Sequence, residues 1–135
     1  MIIVDTSAWI EYFRNGAPSV VSLIDRSLSS NLIAIGDLIY CEVMQGIKIK
    51  KERDYVGALL LSLPRYDMVG FKCAEKAAEN YRLLRSKGIT VRKTNDVIIG
   101  TFCAENRLQL IHNDHDFDLM APFIGLEMFS LKSTK

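Results

Sequence analysis

The chain has 135 residues, 49% of them hydrophobic and 24% charged, and its net charge is +1. This length and apolar share suit one compact domain, 1–135, and exclude disorder of the whole chain. The near-zero net charge excludes a broadly basic surface, so any contact with a polyanion must come from a local patch.

In chain order, "MIIV" is a short β-branched run that reads as a strand, and Asp5-Thr6-Ser7 after it are residue types that cap helices. Trp9, Ile10 and Phe13 then recur at helical spacing up to "RNG", and Trp9 and Phe13 are expected in the core. "PSVVSLIDRSL" reads as a second helix, with Val20, Leu23, Ile24 and Leu28 on one side. "LIAIG" reads as a strand, "DLIYCEVMQGI" as the helix after it, and "KKERDYVGALLLSL" as a helix that stops at Pro64. "YDMVGF" has weaker strand character. "KCAEKAAENYRLLRSKG" is the clearest helix, rich in Ala, Glu, Leu and Arg, basic in its last turn and ended by Gly88. "TNDVIIGTFCAENR" reads as a helix capped by Thr94 or Asn95, "LQLIHND" as a strand, and "IGLEMFSL" as a candidate last strand.

Strands alternating with helices of this length predict an α/β fold with a mainly parallel sheet. The longest apolar stretch, near "VGALLLSL", is far shorter than the ~18–20 residues of a membrane span. "MIIVD" lacks the basic flank and long apolar core of a signal peptide, so a cytoplasmic protein without membrane contact is expected. Cys41, Cys73 and Cys103 form no CxxC pair, and their apolar neighbours read as reduced core thiols. "KIKKERDY" is the only charge run and reads as a solvated helix start.

Four acids fall at related places on this outline. Asp5 follows the first strand, Glu42 lies about a turn into the helix after "LIAIG", Asp96 opens a helix, and Asp114 ends a strand. In a parallel sheet the carboxyl ends of the strands share one edge, where ligands bind, so these acids can converge. Each has an ordinary reading alone: Asp5 and Asp96 as caps, Glu42 as an exposed helix residue, Asp114 as a turn residue. Together they repel one another unless a cation neutralises them. An oxygen-only set without His or Cys ligands suits Mg²⁺ or Mn²⁺ better than zinc. His112 and His115 flank Asp114, but no third nitrogen or sulfur ligand accompanies them.

These stretches carry a family resemblance. "VDTSAWIEYF", Glu42 within "DLIYCEVMQGI", "TNDVIIGTFCAENRLQLIHND" and the following "DF" look like a PIN-domain ribonuclease. In length and motif order the whole chain resembles the VapC toxins of bacterial and archaeal type II toxin–antitoxin pairs. One departure is that "HN" precedes Asp114 where a Thr or Ser is common. The resemblance implies a three-layer α/β/α PIN-like fold and divalent-metal hydrolysis of RNA, leaving a 5′-phosphate and a 3′-hydroxyl. It implies that Asp5, Glu42, Asp96 and Asp114 are catalytic, with Mg²⁺, or alternatively Mn²⁺, held by Asp5, Asp96 and Asp114. Glu42 is then expected to act through a bound water. Asp116 matches the frequent "DF" acid, close to the metal, while Asp118 lies beyond the motif and is expected to face solvent. Thr6 and Ser7 are hydroxyls placed to support a ligand carboxylate or to cap the helix, and Ser7 is the preferred supporting residue.

Arg85, Lys87, Arg92 and Lys93 bring positive charge into the approach to Asp96 and are the candidate RNA-binding residues. For Arg85 and Lys87 the competing reading is complementation of the helix C-terminus. The resemblance further implies a small VapB-like antitoxin covering an apolar groove, which "DRSLSSNLIAIGDLIYCEVMQGIKI" is expected to supply in part, and a homodimer. Two other classes compete: a PIN-like module that binds RNA or protein without cutting, and an aspartate-based phosphoacceptor or phosphatase. The phosphatase wants a second acid two positions after Asp5, where Ser7 stands.

Overall fold

The computed structural model describes residues 1–129. Its core is a sheet of four parallel strands, β1 (Ile2–Val4), β2 (Ile33–Gly36), β3 (Arg65–Tyr66) and β4 (Gln109–Ile111), in the order β3-β2-β1-β4. Side chains alternate between faces along a strand, yet Ile2, Ile3 and Val4 are all buried, as are Ile33, Ala34 and Ile35. Both faces are therefore covered by helices, which makes the fold a three-layer α/β/α one. Each buried Ile of these strands contributes about 1.5–3 kcal/mol relative to exposure.

The described residues also form seven helices: α1 (Thr6–Phe13), α2 (Pro18–Ser29), α3 (Asp37–Gln45), α4 (Lys50–Leu61), α5 (Phe71–Ser86), α6 (Thr94–Glu105) and α7 (His115–Ile124). α1 packs on α2 and α3, and α3 packs on α4, while α5, α6 and α7 pack together. Trp9 is fully buried and stacks on Phe13 with ring centroids 5.5 Å apart. Pro18 opens α2, where its missing N–H costs no helical bond. A Cβ on Gly36 would overlap the thioether of buried Met68, so a larger residue where β2 turns into α3 requires that side chain to move.

The structure departs from the sequence reading at several points. The weak strand is only Arg65–Tyr66, and Met68 beyond it donates its N–H to Asp37 Oδ1 at 3.0 Å. Lys93, not Thr94 or Asn95, is the N-cap of α6, and it makes no side-chain cap bond. Ile10 is about half exposed, Cys41 is exposed and Cys73 is half-buried, so only Cys103 is a buried core thiol. α7 went unread because its acidic start looks like a turn and Pro122 sits inside it. Of "IGLEMFSL", Ile124 ends α7 and Gly125 caps it at φ 75°. Met128 makes a parallel bridge to Leu110, and the last two residues of that stretch lie outside the described residues.

Candidate active site

Strand order reverses at β1: the chain steps from β1 to β2 to β3 on one side and returns to place β4 on the other. A crevice opens at such a switch point, beyond the carboxyl ends of the neighbouring strands. Asp5 leaves β1 there, whereas Asp114 does not end its strand as expected but stands in the loop after β4, which stops at Ile111; each is the N-cap of the next helix. Asp5 Oδ2 accepts from the Ser7 N–H at 3.0 Å and from Ser7 Oγ at 2.7 Å. Ser7 Oγ in turn accepts the Asn113 N–H at 2.9 Å, while Asp5 N donates to Ile111 O at 2.9 Å. One serine thus fastens the end of β1 to the loop after β4.

Asp5 Oδ1 is buried and has no hydrogen-bond partner among the described residues. Such an oxygen is costly unless a cation or water meets it. Asp96 sits in the first turn of α6, 5% exposed, and Asp114 and Asp116 stand at the start of α7. One oxygen from each of Asp96, Asp114 and Asp116 lies within 4.8 Å of the others. Burial pushes the Asp5 carboxyl up, against hydrogen bonds from Ser7 that pull it down. Burial, with the charges of Asp5 and Asp114, pushes Asp96 up to about 7, and Lys93 opposes this. An orphaned buried oxygen and three converging carboxylates fit a divalent cation with oxygen ligands. Asp116 belongs to this cluster as closely as Asp96 and Asp114 do.

Glu42 is placed differently. Its Oε1 accepts from Thr6 Oγ1 at 2.8 Å and its Oε2 from Asn95 Nδ2 at 3.2 Å. Freed from capping α6, Asn95 reaches across to α3, a contact the "TND" reading missed because a capping residue is judged by its own helix. Arg92 Nε stands 3.9 Å from Asp116 Oδ2, and its side chain is otherwise exposed. Arg85 lies over the Tyr81 ring on its own helix and donates to the Tyr81 hydroxyl, and Lys87 is the C-cap residue of α5. Among the described residues neither forms an ion pair with a site acid. Asp118 is exposed, as expected, but pairs with His112 Nε2 at 3.1 Å, which sequence reasoning did not foresee.

Beside Glu42 a groove of about 830 Å³ runs between α1, α3 and α4, floored by Ile10, Phe13, Val43, Ile47 and Tyr55. The segment expected to supply such a groove gives its α3 wall and the 46–49 loop, whereas α1 and α4 form the rest. No helix among the described residues is long and apolar enough to cross a membrane.

A parallel sheet with this strand order and an acid cluster at its switch point define a class, and the PIN domain pattern matches residues 2–121. The chain belongs to the PIN-domain family, in its VapC branch. It is 32% identical to Ribonuclease VapC11 of Mycobacterium tuberculosis and to VapC ribonuclease Mb1587 of Mycobacterium bovis, covering 98% of this chain and 100% of each relative. Among solved structures, VapBC2 from Rickettsia felis, bound to a DNA fragment from the promoter, matches with a TM-score of 0.75 at 21% identity. DNA-bound VapBC from Salmonella typhimurium matches with a TM-score of 0.73 at 19% identity. Each covers 96% of this chain and is itself covered to 98%. At these identities the structural likeness shows the fold.

Proposed function

We propose that the protein is a divalent-metal-dependent endoribonuclease and the toxin of a VapBC-type pair. The observation that carries this reading is the convergence of Asp96, Asp114 and Asp116 at the sheet edge where Asp5 keeps a buried oxygen with no partner among the described residues, its charge adding to the upward push on Asp96. Asp5, Asp96 and Asp114 hold the ion, Mg²⁺ or Mn²⁺, and Asp116 joins them as a ligand. A bound ion of this kind acidifies a water and neutralises charge on a phosphodiester.

The chain's own groups do the rest. Ser7 fixes the Asp5 carboxylate and the Asn113 amide in one geometry, so the two strand ends keep their spacing. Glu42, steered by Thr6 and Asn95, orients the attacking water or takes its proton. Arg92 and Lys93 meet the phosphates of the RNA, and Arg85 and Lys87 extend positive charge along the same approach. The groove beside Glu42 receives an apolar segment of a VapB-like antitoxin, and the isolated toxin forms a homodimer.

The test is cleavage of a total-RNA pool with Mg²⁺, Mn²⁺ or EDTA, comparing the protein with its Asp5→Ala variant. Metal-dependent cuts that disappear in the variant are expected. Folded, partner-free protein that cuts nothing under any condition would favour the silent RNA- or protein-binding module. Light scattering on the same dilute preparation is expected to give a dimer mass, and a monomer mass removes the homodimer.

A further inference from the structure

The loop that delivers Asp114 is held by backbone amides whose partners can be followed one by one. Asn113 N–H goes to Ser7 Oγ, and Asp116 N–H goes to Asp114 Oδ1. The Asp114 N–H goes to His112 Nδ1 at 3.0 Å. A side-chain acceptor two residues before the amide it binds imitates an Asx turn, with an imidazole nitrogen in place of the usual Asn or Asp oxygen. Because Nδ1 accepts that hydrogen, it carries none, and the neutral ring keeps its proton on Nε2. Nε2 lies 3.1 Å from Asp118 Oδ1, which takes that proton in a hydrogen bond. The ring packs on buried Phe117 at 5.2 Å between centroids, and the His112 side chain is only 11% exposed. The imidazole is therefore fixed at both nitrogens and on one face, and its position fixes the Asp114 amide.

We propose that His112, oriented by Asp118, is a positioning residue that sets the Asp114 carboxylate for the cation; this rests on the metal reading of the site given above. His112 touches neither metal nor substrate in this role. It replaces a local turn oxygen with a ring anchored to α7, so the strand end and the helix start move as one piece.

Mn²⁺ is titrated into the whole chain and into His112→Leu, His112→Asn and Asp118→Ala, with affinity read from water-proton relaxation and folding from circular dichroism. His112→Leu is expected to weaken Mn²⁺ binding about 10-fold, the low end for loss of a group that orients a metal ligand. Its kcat on RNA should fall with the affinity while KM for RNA stays unchanged. His112→Asn is expected to recover most of the affinity. Its Oδ1 stands as many bonds from the backbone as Nδ1 does and accepts the same amide. Asp118→Ala, at an exposed position, is expected to weaken binding about 2–3-fold, because the ring keeps its packing but loses one anchor.

A folded His112→Leu that binds Mn²⁺ like the unsubstituted protein overturns the proposal. So does a His112→Asn as weak as His112→Leu. If His112→Leu fails to fold, the Asn variant decides: full affinity supports the amide-acceptor role, and a loss of 10-fold or more defeats it. An unsubstituted protein that binds no Mn²⁺ overturns the metal reading and this inference together.

Discussion

Two halves of the acid cluster differ in where their oxygens are directed. On one side, both oxygens of Glu42 already accept from neighbours, Thr6 at 2.8 Å and Asn95 at 3.2 Å. On the other, Asp96, Asp114 and Asp116 turn one oxygen each towards a common point, and within this trio only Asp114 takes a backbone donor. Glu42 and the converging trio are thus of two kinds. A carboxylate whose oxygens are engaged by protein donors is held in orientation and keeps limited capacity for a cation. Carboxylates that face one another repel unless a cation neutralises them, and burial together with the charges of Asp5 and Asp114 pushes Asp96 up.

The largest effect that can break this division comes from paired substitutions. Asp96→Ala is expected to lower Mn²⁺ affinity by at least about 100-fold, beyond what loss of a group behind a ligand costs. Its RNA cleavage should fall below detection. Glu42→Ala is expected to keep Mn²⁺ affinity within about 3-fold while kcat falls ~10²–10⁴-fold, the range for losing a positioned proton acceptor. Calorimetric titration and single-turnover cleavage measure the two quantities separately. Should Glu42→Ala lose Mn²⁺ as severely as Asp96→Ala, Glu42 is a ligand and the two halves are one.

A smaller effect tests whether the cationic loop serves the substrate or merely neutralises Asp116. Arg92 is close to Asp116 yet too far for a direct hydrogen bond, and its side chain is largely exposed. Arg92→Glu with Lys93→Glu is expected to raise the Kd for RNA roughly 10-fold at low salt and to flatten its salt dependence. Mn²⁺ affinity should change far less. RNA affinity unchanged at moderate salt would take both residues out of the RNA path.

Much of this arrangement was legible because it is local. A β-branched run followed by Asp-Thr-Ser marks a strand end, and Asp5 lies at one. Helix propensity and Gly88 delimited α5 to within a residue or two. What the sequence hid depends on strand order. Nothing in local periodicity says that β4 returns beside β1, so the Ser7–Asn113 contact across 106 residues could not be read. The groove was hidden for a related reason. Ile10 and Tyr55 fit helical apolar patterns that usually mean core, yet here they floor an open cleft. Beside Asp114, His112 invites a metal-ligand or general-base role, whereas both of its nitrogens are used inside the protein.

The smallest expected effect sharpens the comparison most, because it concerns how Glu42 is held and leaves Glu42 in place. Asn95 is half-buried in the first turn of α6, next to Asp96, and its amide crosses to Glu42 on α3. It is the side chain that joins the oriented acid to the converging ones. Asn95→Ala removes one neutral-to-charged hydrogen bond, worth about 1.5–3 kcal/mol where both partners are shielded and less here, since the pair is only part-buried. Thr6 still holds the other oxygen, so Glu42 should sample more orientations without leaving the site. The expected result is a kcat roughly 3–10-fold lower, with KM for RNA and Mn²⁺ affinity unchanged. Asn95→Asp places a like charge against Glu42 and should do worse than alanine, whereas a change in stability alone would affect folding equally in both variants. If Asn95→Ala instead weakens Mn²⁺, its role lies in setting Asp96 through the helix turn they share, and the link between the two halves runs the other way.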